Sequence, residues 1–244
     1  DVSIMPVRVG NGNGAPVSAI SRAMYYAVDH GASVINLSLG TETPSATLES
    51  AINDAYDRNV AVVASAGNKP DSASFPASYQ RTISVGATTA GGEDVAPFSS
   101  RISRVDVAAP GVDVLTAYWT PSAGNTWAYL TGSSFAAPIV SGAVALMRSV
   151  NPDLPVEAVR TALVSTARSS FQSGGQGGGA KGVNPVAVQV LQPRTQAVRL
   201  PVARAAQFAL EAAHRGETGW QRISADVNDI SRRQQRYPRV GAVI

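Results

Sequence analysis

The residues best suited to chemistry lie in one string, Leu130-Thr131-Gly132-Ser133-Ser134-Phe135-Ala136-Ala137-Pro138-Ile139-Val140-Ser141-Gly142. It puts a hydroxyl where a glycine-containing turn runs into an apolar, alanine-rich helix. A serine there feels the positive end of the helix dipole, and its small neighbours admit a substrate. Gly-x-Ser alone means little, because serine is also a favoured N-cap. A serine hydroxyl is moreover a poor nucleophile without a base within hydrogen-bond reach, usually oriented by a carboxylate. The chain has two histidines. His30 ends a helix, where its charge is favoured, and His214 falls in a basic stretch late in the chain. Neither is assigned as the base.

Two other chemistries have partial signatures in the sequence. Gly10-Asn11-Gly12-Asn13-Gly14-Ala15 fits G-x-G-x-x-[GA] between a strand and a helix. A dinucleotide site also needs an acid at the end of the next strand, about 20 residues on. Asp29 has the spacing but ends a helix, and the next strand runs into Gly40 without an acid. The α/β-hydrolase elbow, G-x-S-x-G, requires glycine where Ala136 stands, with acid and histidine after the serine. Neither site is assigned. With no cysteine, thiol catalysis, disulfides and cysteine metal sites are excluded.

The elements that must position Ser134 alternate. Residues 3–9 read as a strand and 16–30 as an amphipathic helix, with Ser18 as N-cap and Gly31 as stop. Residues 32–39 (ASVINLSL), 60–64 (VAVVA) and 81–87 (RTISVGA) read as buried strands, with a helix over 45–58 between the first two. Strands at 105–108 and 112–117 flank Pro110-Gly111. Helices follow over 134–150 and 154–167. The pattern predicts an α/β fold of three layers: a mostly parallel twisted sheet with helices on both faces. Working residues of such sheets gather at the carboxyl ends of the strands, so the loops at 38–40, 65–68 and 131–134 should share one edge.

Of 244 residues, 44% are hydrophobic and 15% charged, a globular composition. The net charge of +3 indicates no nucleic-acid partner. No run of about 18 uncharged apolar residues suggests a membrane span. Residues 172–182 are glycine-rich. Residues 193–244 hold nine Arg against four Asp and Glu and one expected helix, 202–215. The expected organisation is a domain over 1–192 and a basic extension over 193–244, partly helical or disordered.

GSSFAAPIVSG resembles the nucleophile motif of the subtilisin-like serine proteases, G-T-S-x-A-x-P-x-V-[AS]-G, with Ser134 as nucleophile and Ser133 at the usual threonine position. Val34-Ile35-Asn36-Leu37-Ser38-Leu39-Gly40 resembles that family's substrate-lining strand. Val62-Val63-Ala64-Ser65-Ala66-Gly67-Asn68 resembles its oxyanion strand, and Gly179-Ala180-Lys181-Gly182-Val183-Asn184-Pro185 its closing segment. The resemblance covers about residues 1–192 in order. It implies an acyl-enzyme endopeptidase with Asn68 in the oxyanion hole. In this family such an amide contributes about 3–4 kcal/mol to the transition state. It further implies a polypeptide substrate bound as an extended strand between Asn13, Gly14 and Ala15 on one side and Ser38, Leu39 and Gly40 on the other. Ser65, Ala66 and Gly67 would line a roomy, uncharged pocket. No cofactor is required for the chemistry; members of the family often bind structural calcium, but no calcium site is assigned in this sequence. Secretion or the cell envelope is the location the family suggests.

The family's catalytic order is Asp, then His, then Ser. No D-[ST]-G and no H-G-T-x-V-A is present, and both would lie before the first strand of this chain. The leading strands of the fold are thus expected to be missing. The chain alone is expected to be inactive, as a truncated protein, as one piece whose separate N-terminal piece supplies Asp and His, or as a pseudoprotease or peptide-binding remnant. The strand-first start favours truncation.

Overall fold

The computed structural model describes residues 2–10, 14–90, 94–167 and the backbone of 242–243. In chain order the elements are β1 (Met5–Pro6), α1 (Val17–Asp29), β2 (Val34–Leu37), α2 (Ala46–Asp57), β3 (Ala61–Ser65), β4 (Thr82–Thr88), β5 (Val107–Pro110), β6 (Val114–Thr120), β7 (Gly124–Leu130), α3 (Ser133–Val150), α4 (Val156–Thr166) and β8 (Ala242–Val243). Six strands form one sheet in the order β1-β8-β2-β3-β4-β5, every neighbouring pair parallel. β6 and β7 form a separate antiparallel hairpin.

Strand alternation divides the core. Val34, Ala61, Val63, Ile83 and Val85 point to one side, where they meet Val140 and Val144 of α3 and Val159 and Leu163 of α4. Ile35, Leu37, Val62 and Ala64 point to the other side, where they meet Ile20 and Met24 of α1 and Leu48 and Ile52 of α2. Every residue of β2, β3 and β4 is buried, which explains why these strands read as continuous apolar runs. The structure therefore has the three layers expected of the sequence.

Several details differ from expectation. β1 pairs over two residues only, because its partner β8 is itself two residues long. Pro16, not Ser18, stands at the N-cap of α1, and its carbonyl accepts from Ala19 and Ile20. Proline's fixed φ suits that entry. Strand β7 was not expected, although the alternation through Trp127 and Tyr129 after a Pro121–Gly124 turn is a hairpin signal. The expected extension contributes β8 to the sheet. The rest of it lies outside the described residues, as do the 172–182 loop, the 202–215 helix, His214 and the 179–185 segment.

Helix α3 is long and apolar enough to cross a membrane, by length and composition alone. Its packing is that of a core helix. Arg148, 2% exposed, faces inward. Its Nη1 donates to the carbonyls of Ser33 and Asn59 (2.6 and 2.5 Å), and its Nη2 to Asn59 Oδ1 and the Leu154 carbonyl (3.2 and 3.3 Å). Burial pulls its pKa down from the ordinary arginine value. The guanidinium thereby ties α3 to the chain entering β2 and to the turn before β3. Arg148→Met should strand these buried carbonyls and lower stability by about 2–4 kcal/mol. Urea denaturation checks this, and an unchanged midpoint would contradict it.

Candidate active site

β2 ends at Leu37 and β3 at Ser65, and both lead directly into loops at the carboxyl edge of the sheet. The hairpin β6–β7 delivers Thr131-Gly132 and the start of α3 to that same edge, because Gly132 N donates to the Gly111 carbonyl just beyond β5. Ser134 is the second residue of α3 and is half-buried.

Two sets of hydrogen bonds fix this junction. Ser133 donates its backbone N–H and its hydroxyl to Asn68 Oδ1, each at 2.8 Å. Its hydroxyl in turn accepts from Gly67 N at 3.1 Å. A backbone N–H can only donate, so the Asn68 atom facing it must be the oxygen. The amide oxygen thus caps α3, whose N-cap residue, Gly132, has no side chain to do so. The Asn68 N–H₂ makes no hydrogen bond among the described residues and is available to a ligand. Gly132 is required at its position. Its φ of 154° disfavours side chains, and a Cβ there would stand 3.1 Å from Asn68 Nδ2.

The second set joins β2 to α3. Ser141 Oγ donates to Asn36 Oδ1 (2.9 Å), Asn36 Nδ2 to Ser38 Oγ (2.9 Å), and Ser38 Oγ to the Ser134 carbonyl (2.7 Å). The Ser134 hydroxyl donates to the Ser38 carbonyl at 3.4 Å, a long contact that leaves it easily diverted.

A cavity of about 550 Å³ opens here, with Leu39, Gly40, Ser65, Gly67, Asn68, Ser133 and Ser134 among its lining residues. Ser38 stands behind Ser134 as a hydrogen-bond partner. Ala66 is fully buried, its N–H on the Val85 carbonyl and its carbonyl on Ser103 Oγ. Gly14 and Ala15 line a different cavity with Arg8 and Val9, and Asn13 lies outside the described residues. The expectation of an uncharged pocket needs correction. Glu42 and Lys69 are both on the lining, joined by an exposed ion pair at 2.5 Å. The hydrogen bond and charge of Lys69 hold the Glu42 carboxyl below its ordinary pKa. Neither residue belongs to a motif, and only the fold brings residues 42 and 69 together.

His30 stacks on Tyr26 at 3.8 Å, and its Nδ1 bonds the Tyr26 carbonyl. It closes α1 before β2 begins, so it lies at the amino edge of the sheet, opposite Ser38. Among the described residues, no histidine lines the Ser134 cavity.

A sequence model of the Subtilase family matches residues 1–190. The chain belongs to that family. This subtilase is 42% identical to Subtilisin BL of Lederbergia lenta over 160 residues, 65% of the chain and 57% of that protein. It is 45% identical to a thermophilic serine proteinase of Bacillus sp. (strain AK1), over 60% of the chain and 36% of that protein. Among solved structures, a protease from Pseudoalteromonas arctica superposes with a TM-score of 0.66 at 28% identity, covering 76% of the chain and 60% of that structure. The Prenylagaramide maturation protease PagA gives 0.62 at 28% identity, covering 76% and 69%. The subtilase thus spans a little under three fifths of Subtilisin BL.

The double use of Asn68 separates two effects. Asn68→Ala should cost about 1–2 kcal/mol through loss of the helix cap, whereas Asn68→Asp keeps the acceptor and puts a negative charge at the helix start, leaving stability at or slightly above the parent. Urea denaturation of both variants measures this. Equal losses would show that the amide oxygen is not the cap.

Proposed function

We propose that this subtilase supplies the nucleophile and oxyanion hole of a serine endopeptidase. The observation that carries the proposal is the pairing of a loosely held Ser134 hydroxyl with an Asn68 N–H₂ that is left free because its oxygen caps α3. Ser134 Oγ attacks the scissile carbonyl of a polypeptide lying as an extended strand along Ser38, Leu39 and Gly40. The proton of Oγ passes to a base, the amine leaves, and water then hydrolyses the acyl-enzyme. Asn68 Nδ2 donates to the oxyanion as it forms. Ser65 and Gly67 form the wall beside the residue preceding the scissile bond, with Ala66 buried behind them. No cofactor takes part in these steps. Secretion or attachment to the cell envelope is proposed on family membership alone.

The base and its orienting carboxylate are proposed to come from a segment carrying the Asp and His motifs that this sequence lacks. Alone, the chain is proposed to be inactive. The second reading, a non-catalytic peptide-binding scaffold, is favoured by that same lack of motifs.

A peptidyl phosphonate ester distinguishes the two. In a protein completed with both motifs, Ser134 should be labelled, and Ser134→Ala should abolish labelling and turnover while leaving the fold intact. Asn68→Asp should remain folded yet lose turnover by about 10²–10³-fold or more, the effect of removing an oxyanion donor. Parental turnover in Ser134→Ala would refute the proposal. A folded, completed protein that is never labelled would support the scaffold.

A further inference from the structure

The ion pair between Glu42 and Lys69 takes no part in the acyl-transfer steps. Its two residues come from the two loops that flank the Ser134 cavity, Glu42 from the loop after β2 and Lys69 from the loop after β3. Among the described residues, they are the only charged groups on that lining. Ser72, Ala73 and Ser74 are small, uncharged neighbours on the same lining. The Lys69 and Glu42 side chains are 75% and 58% exposed, so their contact lies at the mouth of the cavity and not in its depth.

The two ends of the pair are held differently. Thr41, next to Glu42, exchanges both backbone hydrogen bonds with Phe75 (2.9 and 2.8 Å), which fixes the chain there to the segment after Ser74. Hydrogen bonds from Lys69 first, and from Ser72 to a lesser degree, hold the Glu42 carboxyl below its ordinary pKa. Lys69 Nζ has Glu42 as its one partner among the described residues. It sits on a flexible four-carbon stem. The carboxylate is therefore the fixed end of the pair and the ammonium the movable end.

The Lys69 ammonium illustrates what this mouth holds: a cation at the tip of a long apolar stem. A lysine or arginine side chain of a bound polypeptide has the same chemistry. If such a side chain takes the place of Lys69, Glu42 stays paired and the Lys69 ammonium passes into water. That exchange is easy, because an exposed ion pair is weak and screened by salt. Arginine has a further advantage, since its planar fork binds a carboxylate through two parallel hydrogen bonds and an ammonium cannot. An acidic side chain would have to draw Lys69 away while facing the anchored Glu42 carboxylate. An apolar side chain gains no partner from either residue.

We propose that Glu42 is the specificity-determining acceptor of the Ser134 cavity, that it selects polypeptides presenting arginine, and after it lysine, to this cavity, and that Lys69 is a built-in stand-in which the substrate side chain displaces. The role of these polypeptides as substrates rests on the protease reading above. The exchange of one cation for another at Glu42 does not require turnover.

The test titrates the 244-residue chain with four acetylated tetrapeptide amides that differ only in the last residue, Arg, Lys, Leu or Glu. NMR gives the affinities and follows the Glu42 carboxyl carbon. The expected order is Arg, Lys, Leu, Glu, with Arg about fivefold tighter than Leu, the scale of an exposed charge pair. The Glu42 carboxyl signal should move with the Arg and Lys peptides and stay in place with Leu. Lys69→Ala, which removes the stand-in, should raise the Arg-over-Leu ratio by about threefold or more. Glu42→Gln should bring that ratio to about one and make the Glu peptide a better ligand than the Arg peptide, since Lys69 is then unpaired. Circular dichroism of each variant confirms folding. Equal binding of all four peptides, an Arg-over-Leu ratio unchanged in Lys69→Ala, or no saturable binding of the Arg peptide to Lys69→Ala would each overturn the proposal. Phosphonate labelling of the completed protein reads the catalytic proposal separately. The expected order without labelling sinks catalysis and leaves the Glu42 assignment standing. Labelling without a charge preference does the reverse.

Discussion

The side-chain amide oxygen of Asn68 accepts two hydrogen bonds from Ser133, from the backbone N–H and from the hydroxyl. This is where the end of β3 meets the start of α3, and it does two jobs with one side chain. The oxygen satisfies a helix N-terminus that would otherwise be uncapped. Because the oxygen is committed, the nitrogen takes the other side of the amide, on a residue that lines the cavity. The orientation of the free donor is therefore set by the stability of the helix, before any substrate arrives. Electrostatic stabilisation of an oxyanion depends on such advance placement.

The surroundings can be understood as conditions for that junction. Gly132 must lack a side chain because a Cβ would crowd the Asn68 nitrogen. Ala136 and Ala137 are fully buried, and their small size lets α3 lie close to β3 and β4. Ser141, Asn36 and Ser38 tie the same helix to β2 at the carboxyl edge, and Arg148 ties it to the chain at the amino edge. A helix fixed at both edges can present Ser134 reproducibly. The hydroxyl itself is held only by a long contact to the Ser38 carbonyl, which suits a group that must exchange partners.

Much of this was legible in the sequence, for definite reasons. β2, β3 and β4 are buried on both faces, so each reads as an unbroken apolar run between turn residues. The string around Ser134 and the run ending at Asn68 carry their meaning in residue type and spacing, and the family match agrees with the resemblance read from them. What escaped the sequence depends on contacts between distant residues. Glu42 and Lys69 are ordinary surface residues until the fold places them on one cavity. Ser133 resembles a motif substitution until its hydroxyl is seen on Asn68. The hairpin strand β7 is faint in the sequence because its alternation pairs exposed aromatics with half-buried small residues and has no buried apolar run. The two-residue β8 is too short to carry any periodicity, and only its neighbours define it as a strand.

The orientation of Asn68 is open to direct measurement through the hydrogen bond itself. Scalar coupling across the bond between the Ser133 amide nitrogen and the Asn68 side-chain carbonyl carbon can be sought by NMR in the uniformly labelled chain. The expected result is a resolved coupling, with the Asn68 N–H₂ protons exchanging freely with solvent. Absence of the coupling while α3 remains folded, with the Asn68 N–H₂ protected instead, would mean that the amide is turned the other way, and the oxyanion assignment would fall with it.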